Sequence, residues 1–112
     1  MKPIDVIINE IPSDEIAEYE CVASAFTDGR WFDYKVVFTN KTMWIKRPKM
    51  FLIDLGTAAE KIEYEQISRI ESIKLLRRKG FKFFDKSGKP IAKFYFDSYT
   101  DEAEKVLLSH IS

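Results

Sequence analysis

The sequence predicts a mainly β fold of about seven antiparallel strands closed by one C-terminal α-helix. Two observations carry this prediction. Short runs alternate apolar with polar residues between Gly, Asn and Pro turns, and the last part of the chain changes to a helical period. The length of 112 residues and the apolar fraction of 46% suit one hydrophobic core. We therefore expect residues 1–112 to form a single domain.

The first two strands are expected over Tyr19–Phe26 and Trp31–Thr39. Between them stands Asp28-Gly29, a residue pair that hairpin turns with positive φ prefer. The second strand alternates aromatic and aliphatic residues with more polar ones, a period of two that turns one face to the core.

Two further strands are predicted at Thr42–Lys46 and Met50–Leu55, on either side of Pro48, which cannot donate to a ladder. The apolar spacing then continues from Ile62 to Leu75. It indicates another strand, with a kink or bulge where the spacing changes from two to three.

Lys79-Gly80 is predicted to turn the chain into the last hairpin. The strands of that hairpin are expected over Phe81–Asp85 and Ile91–Phe96, with Pro90 just before the second one.

The segment from Tyr99 is predicted to be an amphipathic helix. Its apolar stripe consists of Tyr99, Ala103, Val106, Leu107, His110 and Ile111. Ser98 or Thr100 is expected to cap its N-terminus. Because so short a helix would hardly persist alone, the stripe should pack on the strands. This order of elements favours either a strongly bent sheet or two orthogonal sheets, with the helix closing an open end.

Three features resemble the pleckstrin-homology (PH) superfold, most closely its GRAM-like and bacterial branches. They are the run VFTNKTMWI at 37–45, the run IEYEQISRI at 62–70, and the closing helix. The resemblance spans residues 15–112 and implies a PH-like bent barrel of about seven strands capped by the helix. Phosphoinositide-binding members place several basic residues around the first hairpin, whereas this chain offers Arg30 alone. The usual inositol-phosphate pocket is therefore not expected.

The charges are balanced overall but uneven along the chain. Eighteen basic and eighteen acidic residues give zero formal net charge, which disfavours a nucleic-acid partner. Residues 1–20 carry six acids and one lysine, and 1–17 are expected to form an acidic arm or cap. Residues 74–93 carry eight basic residues and one acid. Opposite patches can attract a second copy of the chain or one anionic surface.

The residues that carry chemistry give no sign of an enzyme. Cys21 is the single cysteine and is predicted to be a small buried hydrophobe. His110 lies on the helix stripe without metal-ligand spacing, and no Gly-rich phosphate loop is present. We predict no catalytic residue, no metal, no cofactor and no small-molecule substrate.

Basic residues and tryptophans form the candidate interaction surface. Its members are Trp31, Trp44, Lys46, Arg47, Arg77, Arg78, Lys79 and Lys82. The cluster at 77–82 suits either an anionic membrane surface, with Leu76 or Phe81 inserting, or an ordinary solvated hairpin tip. Trp31 and Trp44 fall opposite the core face. Each is either exposed at an interface or covered by a second sheet or the arm.

The chain is therefore expected to be a protein-interaction module, self-associating through strand edges or the exposed tryptophan face. Peripheral binding to anionic lipid through the basic hairpin is the alternative. No stretch approaches the ~20 apolar residues of a membrane span, and no signal-peptide pattern is seen, which favours a cytoplasmic protein. Whether the arm folds over the basic hairpin stays open.

Overall fold

The fold is a seven-stranded antiparallel sheet with one C-terminal helix, which confirms the predicted fold class. A computed structural model describes residues 8–27, 29–47 and 59–111. The strands are β1 (Ala17–Thr27), β2 (Arg30–Thr39), β3 (Thr42–Lys46), β4 (Glu60–Glu63), β5 (Arg69–Leu75), β6 (Arg78–Phe84) and β7 (Pro90–Tyr95). Short 3₁₀ helices follow β4 (Tyr64–Gln66) and β7 (Asp97–Tyr99), and α1 (Thr100–His110) ends the fold.

The strands form one sheet rather than two, in the order β4-β3-β2-β1-β7-β6-β5. β1 connects the two halves of this sheet. It pairs with β2 along its length and with β7 at a single register pair, Ser24 and Tyr95. The sheet is open, because β4 and β5 are its two edges in the described parts of the chain.

The main core lies on the inner face of the sheet, where every second residue of the strands is apolar. Phe38, Phe81, Phe83 and Phe96 are its largest fully buried side chains. The helix adds Ala103 and Leu107 to this core, while Val106 and Ile111 pack at its margin. The predicted packing of the helix stripe on the strands is confirmed.

A smaller apolar cluster covers the outer face of β2 and β3. Ile8, from the segment before β1, is buried there against Val37 and Trp44, with Ile11 and Ala59 at the margin. The described part of the acidic arm therefore folds onto this face and does not lie on the β5–β6 hairpin.

The prediction of one kinked strand from Ile62 to Leu75 is wrong. Where the apolar spacing changes from two to three, the chain leaves β4 through a 3₁₀ turn and enters β5 at the opposite edge of the sheet. Gln66 stabilises that turn by accepting a hydrogen bond from the Glu63 backbone N–H at 2.8 Å. A single altered spacing is compatible with a bulge or with a turn, and here it marks a turn.

The predicted turn at Lys79-Gly80 is also wrong. Leu75 and Arg78 are paired, so Leu76 and Arg77 form the two-residue turn, and Gly80 lies within β6. A Cβ atom at Gly80 would meet the Phe94 carbonyl oxygen at 2.0 Å. The glycine is needed there because β6 and β7 approach closely, and a close approach leaves the same sequence signal as a turn.

Smaller differences concern element ends. Tyr99 is the residue before α1 and no side chain caps the helix; the Thr100 hydroxyl donates instead to the Asp97 carbonyl oxygen at 2.6 Å. Pro90 is the first residue of β7 rather than the residue before it. The strand predicted at Met50–Leu55 lies outside the described residues. No helix in the described ranges is long and apolar enough to cross a membrane.

Candidate interaction surface

Apolar side chains are exposed side by side where β1, β2 and the β5–β6 hairpin meet. We call this group the Trp31 surface; it comprises Phe26, Trp31, Leu75, Leu76 and Arg78. Phe26 and Trp31 are register partners across the first hairpin, with ring centroids 5.3 Å apart. Leu75 is the register partner of Arg78, which in turn lies over the Trp31 ring.

The exposed fraction of these side chains is high for their type. Phe26 is 54% exposed, Trp31 37%, Leu75 47% and Leu76 88%. Scattered exposed apolar residues are ordinary, whereas a contiguous group marks an interaction site more often. Aromatic and arginine side chains are also the types enriched at protein interfaces.

The Arg78 guanidinium lies over the Trp31 indole. Its central carbon lies 4.1 Å from the ring centroid, and one terminal nitrogen lies 3.4 Å from the Asp97 carboxylate. Asp97 also accepts a hydrogen bond from the Lys79 backbone N–H at 3.4 Å. Since a cation over an indole face is attracted by the ring, this contact orders both side chains before any partner arrives.

Leu76 stands at the tip of the β5–β6 hairpin in an unfavourable backbone conformation. Its φ is +56°, a left-handed value that costs residues other than glycine about 1–2 kcal/mol. A large apolar side chain is thus kept exposed at a position where glycine would be better for folding. Local strain that folding does not need is typical of functional positions.

The predicted cations of the basic hairpin fall on different sides. Arg78 and Lys82 share the outer face, where Lys82 lies over the Phe84 ring at 5.4 Å. Lys79 alternates with them along β6, and Arg77 is exposed in the turn. Phe81, expected as an inserting residue, is buried in the main core, so Leu76 is the hairpin residue available for apolar contact.

The remaining predicted surface residues lie elsewhere. Trp44 is only 6% exposed, because the arm covers it, which is one of the alternatives that the sequence left open. Lys46 pairs with Glu10 of the arm at 3.5 Å. Arg47 lies over the Phe32 ring at 4.0 Å.

Glu15 joins the arm to Trp44. One carboxylate oxygen accepts hydrogen bonds from the Thr39 hydroxyl at 2.6 Å and from the Trp44 indole N–H at 3.0 Å. Partial burial of Glu15 acts to raise its pKa, but the bonds from Thr39, Trp44 and Thr42 outweigh it and hold the pKa below its ordinary value of 4.5.

A polar cleft of about 520 Å³ lies at the helix end, next to Tyr64 and His110. The two rings are stacked with centroids 4.5 Å apart, and His110 Nε2 lies 2.6 Å from a Glu18 carboxylate oxygen. Tyr64 donates to the Thr39 carbonyl oxygen at 2.7 Å, and burial raises the pKa of its hydroxyl. His110 thus packs against the rest of the fold, as its position on the stripe predicted.

A second cavity, of about 680 Å³, lies between β1, β2, β3 and β7. Ala25, Tyr34, Ile45 and Phe94 line it with apolar surface, and Arg47 adds a cation. Within the described ranges, no group of three or more His, Cys, Asp or Glu residues could hold a metal ion.

Sequence reasoning missed Phe26 and Leu75 as surface residues. The signal for Phe26 was present, since a turn at Asp28-Gly29 makes Phe26 the partner of outward-facing Trp31. For Leu75 the signal was the pair Leu75-Leu76, because adjacent strand residues point to opposite faces and both cannot enter one core.

No protein-family model matches the chain, and no curated protein matches it. Among solved structures, the chain is similar to the crystal structure of the C-terminal domain of an unknown protein from Leishmania infantum. The two share 15% sequence identity with a TM-score of 0.65, over 86% of this chain and 84% of that chain. At this identity the likeness concerns the fold alone.

Proposed function

We propose that the chain is a non-catalytic, PH-like binding module that uses the Trp31 surface to hold a protein partner, with a second copy of the chain as the first partner to test. The observation that carries this proposal is the exposure of Phe26, Trp31 and Leu75 around Arg78, with the exposed Leu76 next in the chain. Trp and Arg side chains dominate binding energy at interfaces when a partner desolvates them.

The contact between Arg78 and Trp31 supports this function because it lowers the entropic cost of binding. A free arginine loses much side-chain freedom at an interface, whereas Arg78 is already held by the Trp31 ring and by Asp97. The leucines next to it would supply the apolar contact.

The PH-like and GRAM-like assignment draws on the order of elements. Antiparallel hairpins followed by a single C-terminal helix are what the resemblance at 37–45 and 62–70 implies. The absence of a membrane-crossing helix in the described ranges suits a cytoplasmic location, which belongs to the same proposal.

The contacts of the arm bear on how two copies could associate. Glu10, Asp14 and Glu15 all have partners on their own chain, at Lys46, Lys41 and Trp44 respectively. An acidic arm docked on the basic hairpin of another copy is therefore disfavoured. We expect the Trp31 interface to be mainly apolar and only weakly dependent on salt.

Light scattering coupled to size-exclusion chromatography tests this proposal at high micromolar concentration. Wild type should show a mass above that of the 13.1 kDa monomer, and Trp31→Ser or Leu76→Ser should bring the mass down to it. Leu108→Ser removes another exposed leucine, on α1, and should change nothing. A wild-type chain that stays monomeric at low and high salt would exclude a second copy as the partner of the Trp31 surface.

Binding to an anionic membrane is the second candidate, and the tip of the β5–β6 hairpin favours it. There the exposed Leu76 directly precedes Arg77, Arg78 and Lys79 in the chain, and each basic residue near an anionic bilayer contributes about 1 kcal/mol. Co-sedimentation should require phosphatidylserine in phosphatidylcholine vesicles, fade at high salt, and be lost in Arg77→Glu. Lys105→Glu reverses another exposed cation and should bind as wild type does. Absence of binding at low salt would remove this candidate.

A further inference from the structure

The outer face of β2 and β3 contacts the arm mainly through the side chains of the arm, and no β pairing joins the two in the described part of the chain. No strand is formed by residues 8–16, and β1 begins at Ala17. Ile8 instead fills an apolar site on Val37 and Trp44. We call this face, formed by Val37, Thr39, Lys41, Trp44 and Lys46, the arm seat.

Each acidic group of the described arm meets a complementary group at the seat. Glu10 pairs with Lys46 at 3.5 Å and accepts from the Ala59 backbone N–H at 2.6 Å. Asp14 pairs with Lys41 at 3.1 Å. The hydrogen bonds of Glu15 with Thr39 and Trp44 complete the match. The seat therefore recognises a short segment in which isoleucines are interleaved with carboxylates.

The arm is attached to the seat by a small number of side-chain contacts, most of them at the surface. The Asp14–Lys41 ion pair is exposed and the Glu10–Lys46 ion pair is partly exposed, and such ion pairs add little to stability. A turn within the arm, closed by the Glu15 N–H donating to the Pro12 carbonyl oxygen at 3.1 Å, connects Ile8 and Glu10 to Glu15 and so to β1. Opening this turn would free the arm without disturbing the sheet ladder, as in the local opening of weakly packed segments.

We propose that the arm seat is a binding site for an apolar and acidic segment, and that in assembly it takes the arm of a second copy, so that two chains exchange arms. The same contacts form in either arrangement, so exchange requires that the arm leaves its own seat and that the Pro12–Glu15 turn opens, with no net loss of contacts. The seat lies apart from the Trp31 surface, and this proposal stands whether or not that surface binds a partner.

Mixing two full-length charge variants tests arm exchange. In Glu10→Lys and in Lys46→Glu, each chain's own arm faces a like charge on its own seat. In an equal mixture, exchange brings each arm onto a seat of suitable charge. Light scattering should then find a species of twice the 13.1 kDa chain mass in the mixture, and much less of it in either variant alone at the same total concentration.

A matched control mixes Glu102→Lys with Lys105→Glu, which reverse an exposed pair on α1 at 4.0 Å. That mixture should stay as wild type does. Far-UV circular dichroism verifies that each variant is folded. A test mixture that remains monomeric while both variants are folded overturns arm exchange. Because Trp31→Ser leaves the seat intact, the charge mixture should still form the double-mass species when both of its chains also carry Trp31→Ser, which separates this test from that of the Trp31 surface.

A peptide assay keeps the inference testable if a charge variant fails to fold. A synthetic peptide of residues 1–16 is titrated into the full chain carrying Ile8→Ser and Ile11→Ser, with Trp31→Phe so that Trp44 alone reports. Saturable change of the Trp44 emission is expected, and the same peptide with Ile8→Ser should give none. No response to the native peptide would overturn the seat as a segment-binding site. Binding of the peptide beside a monomeric charge mixture would overturn the second copy as its occupant.

Discussion

Leu76 combines two properties that folding alone would not select. Its backbone has the left-handed φ of +56°, and its side chain is almost fully exposed. A hairpin turn of two residues prefers glycine, asparagine or aspartate at such a position. The binding role proposed for the Trp31 surface gives this leucine a reason, since the turn presents it beyond the sheet.

Replacing Leu76 with glycine should make the fold more stable and the binding weaker. Glycine avoids the ~1–2 kcal/mol cost of the left-handed backbone but loses about 0.5–1 kcal/mol more in conformational entropy on folding. We therefore expect the free energy of unfolding to rise by about 0.5–1 kcal/mol. Urea denaturation followed by circular dichroism measures it. Leu76→Ala is the matched control, because it removes the side chain and keeps the strained backbone. Equal stabilities of the glycine and alanine variants would contradict this account.

The two tryptophans illustrate what sequence can and cannot settle about single residues. Period-two alternation placed both on the face opposite the core, and the structure agrees for both. The cover over Trp44 comes from Ile8 and Ile11 in a segment without strand or helix period. Such a segment gives no pattern that predicts where it folds, so the buried and the exposed tryptophan could not be told apart.

Among the elements, the arm is the one whose attachment should depend most on pH. The pKa of Glu15 is held below its ordinary value, so its hydrogen bonds stabilise the seated arm fully above pH 4.5 and less as the pH falls through the folded-state pKa. Trp44 emission, recorded in a Trp31→Phe chain, should therefore shift to longer wavelength on acidification below pH 4.5.

Glu15→Gln is the control for this pH dependence. The amide oxygen can still accept from Thr39 and Trp44 but does not titrate, so the Trp44 emission should change less with pH in that variant. Glu10 and Asp14, whose pKa values are also lowered by their partners, account for what remains. An identical pH profile in wild type and Glu15→Gln would contradict the role of the Glu15 carboxylate.

Element boundaries were predicted well where an apolar pattern repeats over many residues. They were predicted poorly where the prediction depended on a single residue. The helix and the first hairpin were confirmed because many residues repeat the same signal. The turn at 76–77 and the separation of β4 from β5 were missed. The glycine at Gly80 is compatible with a turn and with a close approach of two strands. Between Glu63 and Arg69, one altered apolar spacing is compatible with a bulge and with a turn.

For the whole molecule, Cys21 provides a probe of global unfolding. Burial raises the pKa of its thiol to about 12, against an ordinary value of 9.0, although Lys35 acts in the opposite direction. The native thiol should be inert to a thiol-specific disulfide reagent at pH 8 and react at the rate of unfolding in a urea series. Prompt stoichiometric modification of the folded chain would contradict its burial.

The same burial predicts alkaline sensitivity. A folded-state pKa raised above the unfolded one gives stability that is complete below pH 9 and is lost as the pH rises toward 12. Each proton involved contributes a slope of at most about 1.4 kcal/mol per pH unit to the free energy of unfolding. Denaturation midpoints measured across that range should fall less in Cys21→Ala than in wild type.

The fold class as a whole was within reach of the sequence, because seven short alternating segments and one helical segment leave few ways to bury their apolar faces. The sequence could not predict whether the strands form one open sheet or two sheets. That choice depends on the pairing of Ser24 with Tyr95, and no local sequence pattern predicts this pairing.

That contact has a consequence for biosynthesis. Ser24 leaves the ribosome about 70 residues before Tyr95, a delay of several seconds at ~5–20 residues per second. During that time β1 to β4 are complete, but Phe96 and Leu107, which cover their inner face, have not been made. A nascent chain therefore exposes a half-finished core during synthesis, and slow codons beyond residue 63 would lengthen that exposure.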